Sequence, residues 1–369
     1  MGRVRRVARL TAFTLIVPGA LDQITGGYLF DRHLVDGLRE TGRIVEVIEL
    51  PGEFPAADRM ACTAAATALA GLPAGSAVVI DGLALPAFAD CLETHRRRLS
   101  VVAFVHHPLS LETGLTAETA ETYARLEHTL WPLMRGLLCP SAHTAAAVIA
   151  AGVSADRVRI TPPGTRFPRP IVTTIVTTIG RPEPQASRPL QLLTVGTITQ
   201  RKGHLQLIEA LSRLQALDWQ LSCVGSLTRD RASASAVRKA LITHGLQHRV
   251  TLAGEVSMEQ RDAAYCAADV FVLASHHEGY GMVCAEALAH HLPIVATSAG
   301  AIPDTVGTDA AILVTPGDVA GLTEALREVI TQRPLRERLA AGAAQAAKSL
   351  SDWPSAVRRW AQALDELVA

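Results

Sequence analysis

The chain has no surplus of charge in either direction: Lys plus Arg number 35 and Asp plus Glu number 35 in 369 residues. A general nucleic-acid binder needs a basic excess, so that class is excluded. No apolar run reaches the roughly 18 residues that span a bilayer. The six cysteines, Cys62, Cys91, Cys139, Cys223, Cys266 and Cys284, are scattered without C-x-x-C spacing. That excludes a zinc ribbon or a disulfide frame and fits reduced thiols in a cytoplasmic protein. No D-x-D pair of acids stands at a strand end.

What is present is globular: 49% of residues are hydrophobic and 19% charged, over a length sufficient for two cores. The opening, MGRVRRVARLTAFTLIVPGA, has basic residues before a short apolar run, a weak leader-like signal. Pro18-Gly19 stops that run, which is read as a first strand, Thr11 to Val17, behind a basic tip that could touch anionic lipid. Strand and helix patterns then alternate. Strands are expected at 44–50, 77–80, 99–105 and 158–161, and helices at 60–70, 85–95, 117–135 and 143–151. This alternation implies βαβ units, a parallel sheet and ligands at strand carboxyl ends. Pro162-Pro163-Gly164 closes a first domain, 1–165. A linker, 166–190, carries the tandem repeat IVTTIVTT at 171–178. A second domain, 191–350, follows, and an amphipathic helix, 351–369, ends the chain, with Trp353 and Trp360 as anchors.

The richest stretch is SHHEGYGMVCAEALAHHLPIVATSAGAIP, 275–303. It follows a buried-strand run, turns at Gly279 and Gly281, enters a helix at about Met282 and returns as a strand at 294–296. Amides at such a turn and helix start can hold an anion. Glu278 and Glu286 suit hydroxyl groups better than phosphate. Taken singly, each reads equally as a solvated acid or a helix-start acid. Elsewhere, Gly26-Gly27 precede a helix, and His106-His107 end a strand. Arg201 and Lys202 sit in a loop opened by Gly196 and closed by Gly203, where they suit a diphosphate.

E-G-Y-G-M-V-C-A-E with the following A-L-A-H-H-L-P-I-V-A-T-S-A-G-A-I-P-D resembles the E-x7-E signature of retaining glycosyltransferase family 4. The likeness runs along nearly the whole chain and is strongest from Gly196 to Gly317. It implies an α/β GT-B fold, two Rossmann-like domains facing across a cleft. It further implies transfer of a hexose from a nucleotide-diphosphate sugar to an acceptor hydroxyl, with retention and without metal. Arg201, Lys202 and the amides of Gly281, Met282 and Val283 would take the departing diphosphate. Glu286 would bind the ribose and Glu278 the sugar ring. Gly27, with Gly26 beside it, would approach the diphosphate and acceptor, and Gly196 and Gly225 would line the donor site. The backbone of Gly254, Glu255 and Val256 would read the base. His106, or failing it His107, would act at the transfer point. Two departures stand out: His291 occupies a glycine position, and Arg201-Lys202 are adjacent instead of widely spaced. No cofactor is expected. The donor enters as a substrate, UDP- or GDP-linked, and the acceptor is a glycan, a lipid or a small molecule. The location expected is cytoplasmic, or peripheral at the inner membrane face. An epimerase on the same fold and a non-catalytic nucleotide-sugar binder are the alternatives. A phosphorylase would need a lysine for pyridoxal phosphate, which is not recognisable.

Overall fold

The computed structural model describes residues 10–23, 25–168 and 188–369. The basic tip and the IVTTIVTT repeat lie outside them. Two compact units emerge, Met1–Gly164 with Ser351–Ala369, and Thr165–Leu350.

The first unit runs β1 (Ala12–Pro18), α1 (Gly26–Glu40), β2 (Ile44–Leu50), α2 (Arg59–Gly71), β3 (Ala77–Asp81), α3 (Leu92–His95), β4 (Ser100–Phe104), α4 (Ala117–Leu130), β5 (Gly136–Cys139), α5 (Ala142–Ala150) and β6 (Val158–Ile160). Its six strands are parallel in the order β2-β1-β3-β4-β5-β6. The central strands, such as the fully buried AVVID of β3, are covered on both faces, as a parallel sheet requires. The single helix expected at 85–95 is absent. A 3₁₀ turn, Gly82–Phe88, and the one-turn α3 replace it. Pro86 lies inside that turn and has no N–H to continue a helix, and Asp81 caps its start through the Leu83 amide. Pro132 likewise stops α4 short of Arg135.

The second unit runs β7 (Leu190–Val195), α6 (His204–Ser212), β8 (Trp219–Val224), α7 (Arg231–Thr243), β9 (Val250–Gly254), α8 (Met258–Ala267), β10 (Val270–Leu273), α9 (Met282–Ala289), β11 (Ile294–Thr297), α10 (Ile302–Val306), β12 (Ala311–Val314), α11 (Val319–Thr331) and α12 (Arg333–Ala347). Its sheet order, β12-β11-β10-β7-β8-β9, is the doubly wound Rossmann order. The last helix, α13 (Trp353–Val368), belongs to the first unit. Trp353 meets Phe30 and stacks on His33, and Trp360 packs on Phe13 and Phe104. Arg43 and Asp365 add a buried two-pronged ion pair.

Candidate active site

In an open parallel sheet, a crevice forms where successive crossovers leave on opposite faces, beyond the strand carboxyl ends. In the second unit that point lies between β7 and β10. The loops after these strands are joined there. The His276 amide donates to the Arg201 carbonyl at 2.7 Å. Gly203, at φ +66°, lies so close to the Ala274 carbonyl that a Cβ would collide with it. Arg201, Lys202 and Glu278 are thereby brought together. Lys202 Nζ donates to Glu278 Oε1 at 2.6 Å, and Ser275 Oγ donates to the same oxygen at 2.7 Å. Arg201 Nη1 lies 3.4 Å from Glu278 Oε2 and donates to the His277 carbonyl at 2.8 Å. Below them, Gly300 at φ +58° abuts the Glu278 carbonyl with no room for a side chain. The Ala301 amide donates to that carbonyl at 2.9 Å.

Glu278 is 6% exposed. Burial alone would raise its pKa, but the charges of Lys202 and Arg201, with hydrogen bonds from Lys202 and Ser275, outweigh it. They hold the carboxyl down at about 2. Two residues on from Lys202, His204 is buried with neither ring nitrogen bonded among the described residues. Burial and the Lys202 charge press its pKa down to about 4, so it is neutral. Gly196 rests on the Lys202 side chain, and Gly225 packs against the Gly196 carbonyl. These two glycines let the ends of β7 and β8 close up.

Helix α9 starts after Gly281 at φ +86°, with no side chain capping its first amides. Glu286 lies inside this helix and turns toward α8, not toward the two cations. Its carboxylate accepts from Tyr265 Oη at 2.9 Å and pairs with Arg261 Nη2 at 3.2 Å. Burial raises its pKa, and Arg261 and Tyr265 offset only part of that. Beside it, Arg261 Nε and Arg166 Nη1 are buried with no acceptor among the described residues. Of the loop expected to face a base, Glu255 is exposed. The Gly254 carbonyl accepts the Gly225 amide at 2.9 Å, and Val256 packs on the cluster that contains Tyr265.

In the first unit the corresponding point lies between β1 and β3. Here the structure distinguishes the two histidines. His107 pairs with Glu112 at 3.0 Å. His106 turns Nε2 toward Asp31 Oδ1 of α1 at 3.1 Å and Asp81 Oδ2, at the end of β3, at 3.3 Å. Its ring rests on Phe104 and Phe30. A Cβ on Gly27 would sit 3.5 Å from the ring, an ordinary contact, while Gly26 has open space. These three ligating atoms lie within 4.8 Å of one another, close enough to share protons or hold a divalent cation. Burial opposes charge on His106, but Asp31 and Asp81 prevail and raise its pKa to about 10. Burial raises Asp31. It also acts to raise Asp81, but hydrogen bonds from His106, Asp31 and the Leu83 amide leave that group lowered.

Asp31, Asp81, Ser275, Tyr265 and Arg261 were not among the residues singled out from the sequence. Two of them left a trace there. Asp31 shares the apolar face of α1 with Leu34, Val35 and Leu38, all buried. Asp81 ends an otherwise apolar strand. Ser275 opens the stretch 275–303 and reaches Glu278 three residues on, while Tyr265 and Arg261 belong to the site only through their contacts with Glu286.

Two Rossmann-type units with charged clusters at their switch points make up a GT-B fold, and the comparisons agree. The family described as Glycosyl transferases group 1 matches residues 189–332, within the second unit. MMP alpha-(1->4)-mannosyltransferase of Mycolicibacterium hassiacum is 25% identical over 320 residues, covering 83% of this chain and 74% of that protein. Glycogen synthase of Mycobacterium tuberculosis is 31% identical over 179 residues, which is 47% of this chain and 42% of that one. Sucrose-phosphate synthase of Thermosynechococcus elongatus superposes with a TM-score of 0.77 at 20% identity, over 95% of this chain and 98% of that chain. Anabaena HepE, solved with UDP and glucose, gives 0.71 at 17% identity over 96% and 98%.

Proposed function

We propose that this glycosyltransferase moves a hexose from a nucleoside-diphosphate sugar to an acceptor hydroxyl, with retention and without a divalent metal. The observation that carries the reading is the meeting of Arg201, Lys202 and Glu278 beside the uncapped start of α9. Departure of the diphosphate leaves negative charge. Two cations and a set of fixed amides, held in place before reaction, are suited to stabilise it. Glu278 would take the sugar hydroxyls by exchanging part of its contact with Lys202, Ser275 and Arg201 for them. Beside Glu286, a ribose diol can donate to the carboxylate and accept from the open Arg261 N–H. That two-way match favours a nucleoside over a plain phosphate. The Gly254–Val256 backbone would border the base, and Gly27 and His106 would serve the acceptor.

Retention is carried over from the resemblance to retaining glycosyltransferase family 4. Glu278 is a carboxylate with a strongly depressed pKa whose oxygens are taken by Lys202, Ser275 and Arg201, so it attacks poorly. Same-face attack assisted by the departing phosphate is the route that the resemblance implies. The test is release of nucleoside diphosphate from UDP- and GDP-hexoses in EDTA, with the product's anomeric coupling read by NMR. Turnover in EDTA and an unchanged anomeric configuration are expected. Arg201→Ala with Lys202→Ala should lower kcat/KM by about one to a few kcal/mol. Inversion, an absolute metal requirement or an unaffected double variant would each overturn the proposal.

A further inference from the structure

Two buried guanidinium N–H groups near Glu286 have no acceptor among the described residues: Nε of Arg261 and Nη1 of Arg166. A donor taken from water and given no acceptor keeps its whole desolvation cost, so such groups are rare in a folded chain. Neither arginine lacks an anchor. Arg261 Nη2 pairs with Glu286 Oε1 at 3.2 Å, and Arg166 Nη2 pairs with Asp262 Oδ2 at 3.2 Å. Asp262 follows Arg261 on α8, so Arg166 is held by the residue next to Arg261, and its charge reaches Glu286. Nε–H of Arg261 lies on the same edge of the planar guanidinium as Nη2, so it is directed alongside the carboxylate. Both N–H groups are closed to bulk water, but the side chains of Arg261 and Arg166 are 19% and 27% exposed. A modest turn of either guanidinium presents its N–H to a ligand at Glu286.

The carboxylate has capacity to match. Tyr265 Oη uses one lone pair on Oε2, and Arg261 uses one on Oε1. One is left on each oxygen. The count is therefore two open donors and two open acceptors. A phosphate brings acceptors alone and sets its charge against Glu286. An ammonium group brings donors alone and serves neither arginine. A cis-diol brings two O–H donors and two accepting oxygens, which answers the whole count. We propose that Arg261 and Arg166 are specificity-determining residues that bind the two ribose hydroxyl oxygens while Glu286 takes their protons, so that ribonucleotide donors are accepted and 2′-deoxyribonucleotide donors, such as thymidine diphosphate sugars, are refused. This inference rests on the reading of Glu286 given above and extends it: the carboxylate reads the protons and the arginines read the lone pairs. Loss of one hydroxyl strands a buried N–H and a carboxylate lone pair together, which sharpens discrimination beyond the loss of one bond.

The test is isothermal titration calorimetry of the protein in EDTA with UDP, GDP, ADP and CDP. Whichever binds is then compared with its own 2′-deoxy and 3′-deoxy forms. Each deoxy form should bind about tenfold more weakly or worse. Arg166→Met and Arg261→Met keep the apolar stem and remove the donor. Each should weaken the parent nucleotide and bring one deoxy form to within about threefold of it. Equal binding of parent and deoxy forms by the unaltered protein would overturn the inference and leave the nucleotide reading standing, since water would then serve the two N–H groups. That comparison needs no variant to fold. A preference that both variants keep in full would also overturn it. Binding of no nucleotide at all would remove the functional reading and this inference together.

Discussion

Glu278 and Lys202 meet at 2.6 Å in a place that is buried but not sealed, and this makes the residue scale testable by pH. The folded carboxyl is depressed from 4.5 to about 2. Its contribution is therefore present above the unfolded value and is lost as pH falls toward the folded one. The size is at most about 3 kcal/mol, from the linkage of pKa to free energy. Melting temperatures of the protein and of Glu278→Gln should therefore differ most above about pH 4.5 and converge as the pH approaches about 2. Parallel curves would mean that the ion pair does not hold the carboxyl down. The Lys202–Glu278 pair was not legible in the sequence. Arg201 and Lys202 were seen as cations awaiting a diphosphate, and Glu278 as an acceptor awaiting a sugar. Residues 76 apart in the chain gave no sign that Lys202 and Glu278 pair with each other.

Among the elements, α9 and its flanks carry most of the legible information. Glycine turns, apolar strands and the helix start are local, and their spacing is visible in a one-dimensional pattern. Even the anomaly was legible. His291 stands at φ +55°, the one left-handed non-glycine position among the described residues. A left-handed residue costs about 1–2 kcal/mol, and glycine's greater freedom when unfolded offsets about 0.5–1 of that. His291→Gly should thus stabilise the protein by up to about 1 kcal/mol, read as a raised urea midpoint with unchanged slope. A lowered midpoint would show that the imidazole makes up for the strain. The segment at 85–95 was misread because its apolar content suits a buried 3₁₀ turn as well as a helix, and Pro86 decides between them. Helices α7 and α12 and strand β12 passed without notice, since no site motif drew attention to them.

At the scale of the whole molecule, the two sheets place their clusters by topology. β7 meets β10 and β1 meets β3 because of the strand order, and only the fold reveals these neighbours. The Arg201–Glu278 loop and the Asp31–Asp81–His106 group are therefore products of crossover connections. The first was half legible because one partner lay in a recognisable motif. The second was legible only at His106, because an acid on the apolar face of α1 and an acid ending β3 carry no sign that they meet.

The central claim is that the second unit binds a nucleoside diphosphate through Arg201, Lys202 and Glu286. Its most direct test is thermal stability with UDP, GDP, ADP, CDP and TDP in EDTA, for the unaltered protein and for the variant with Arg201→Ala and Lys202→Ala. A ligand at a hundred times its dissociation constant adds about 2.7 kcal/mol. One nucleotide should raise the melting temperature by several degrees, and the double variant should lose most of that rise. No shift with any nucleotide, or a shift that the double variant keeps in full, would contradict the account.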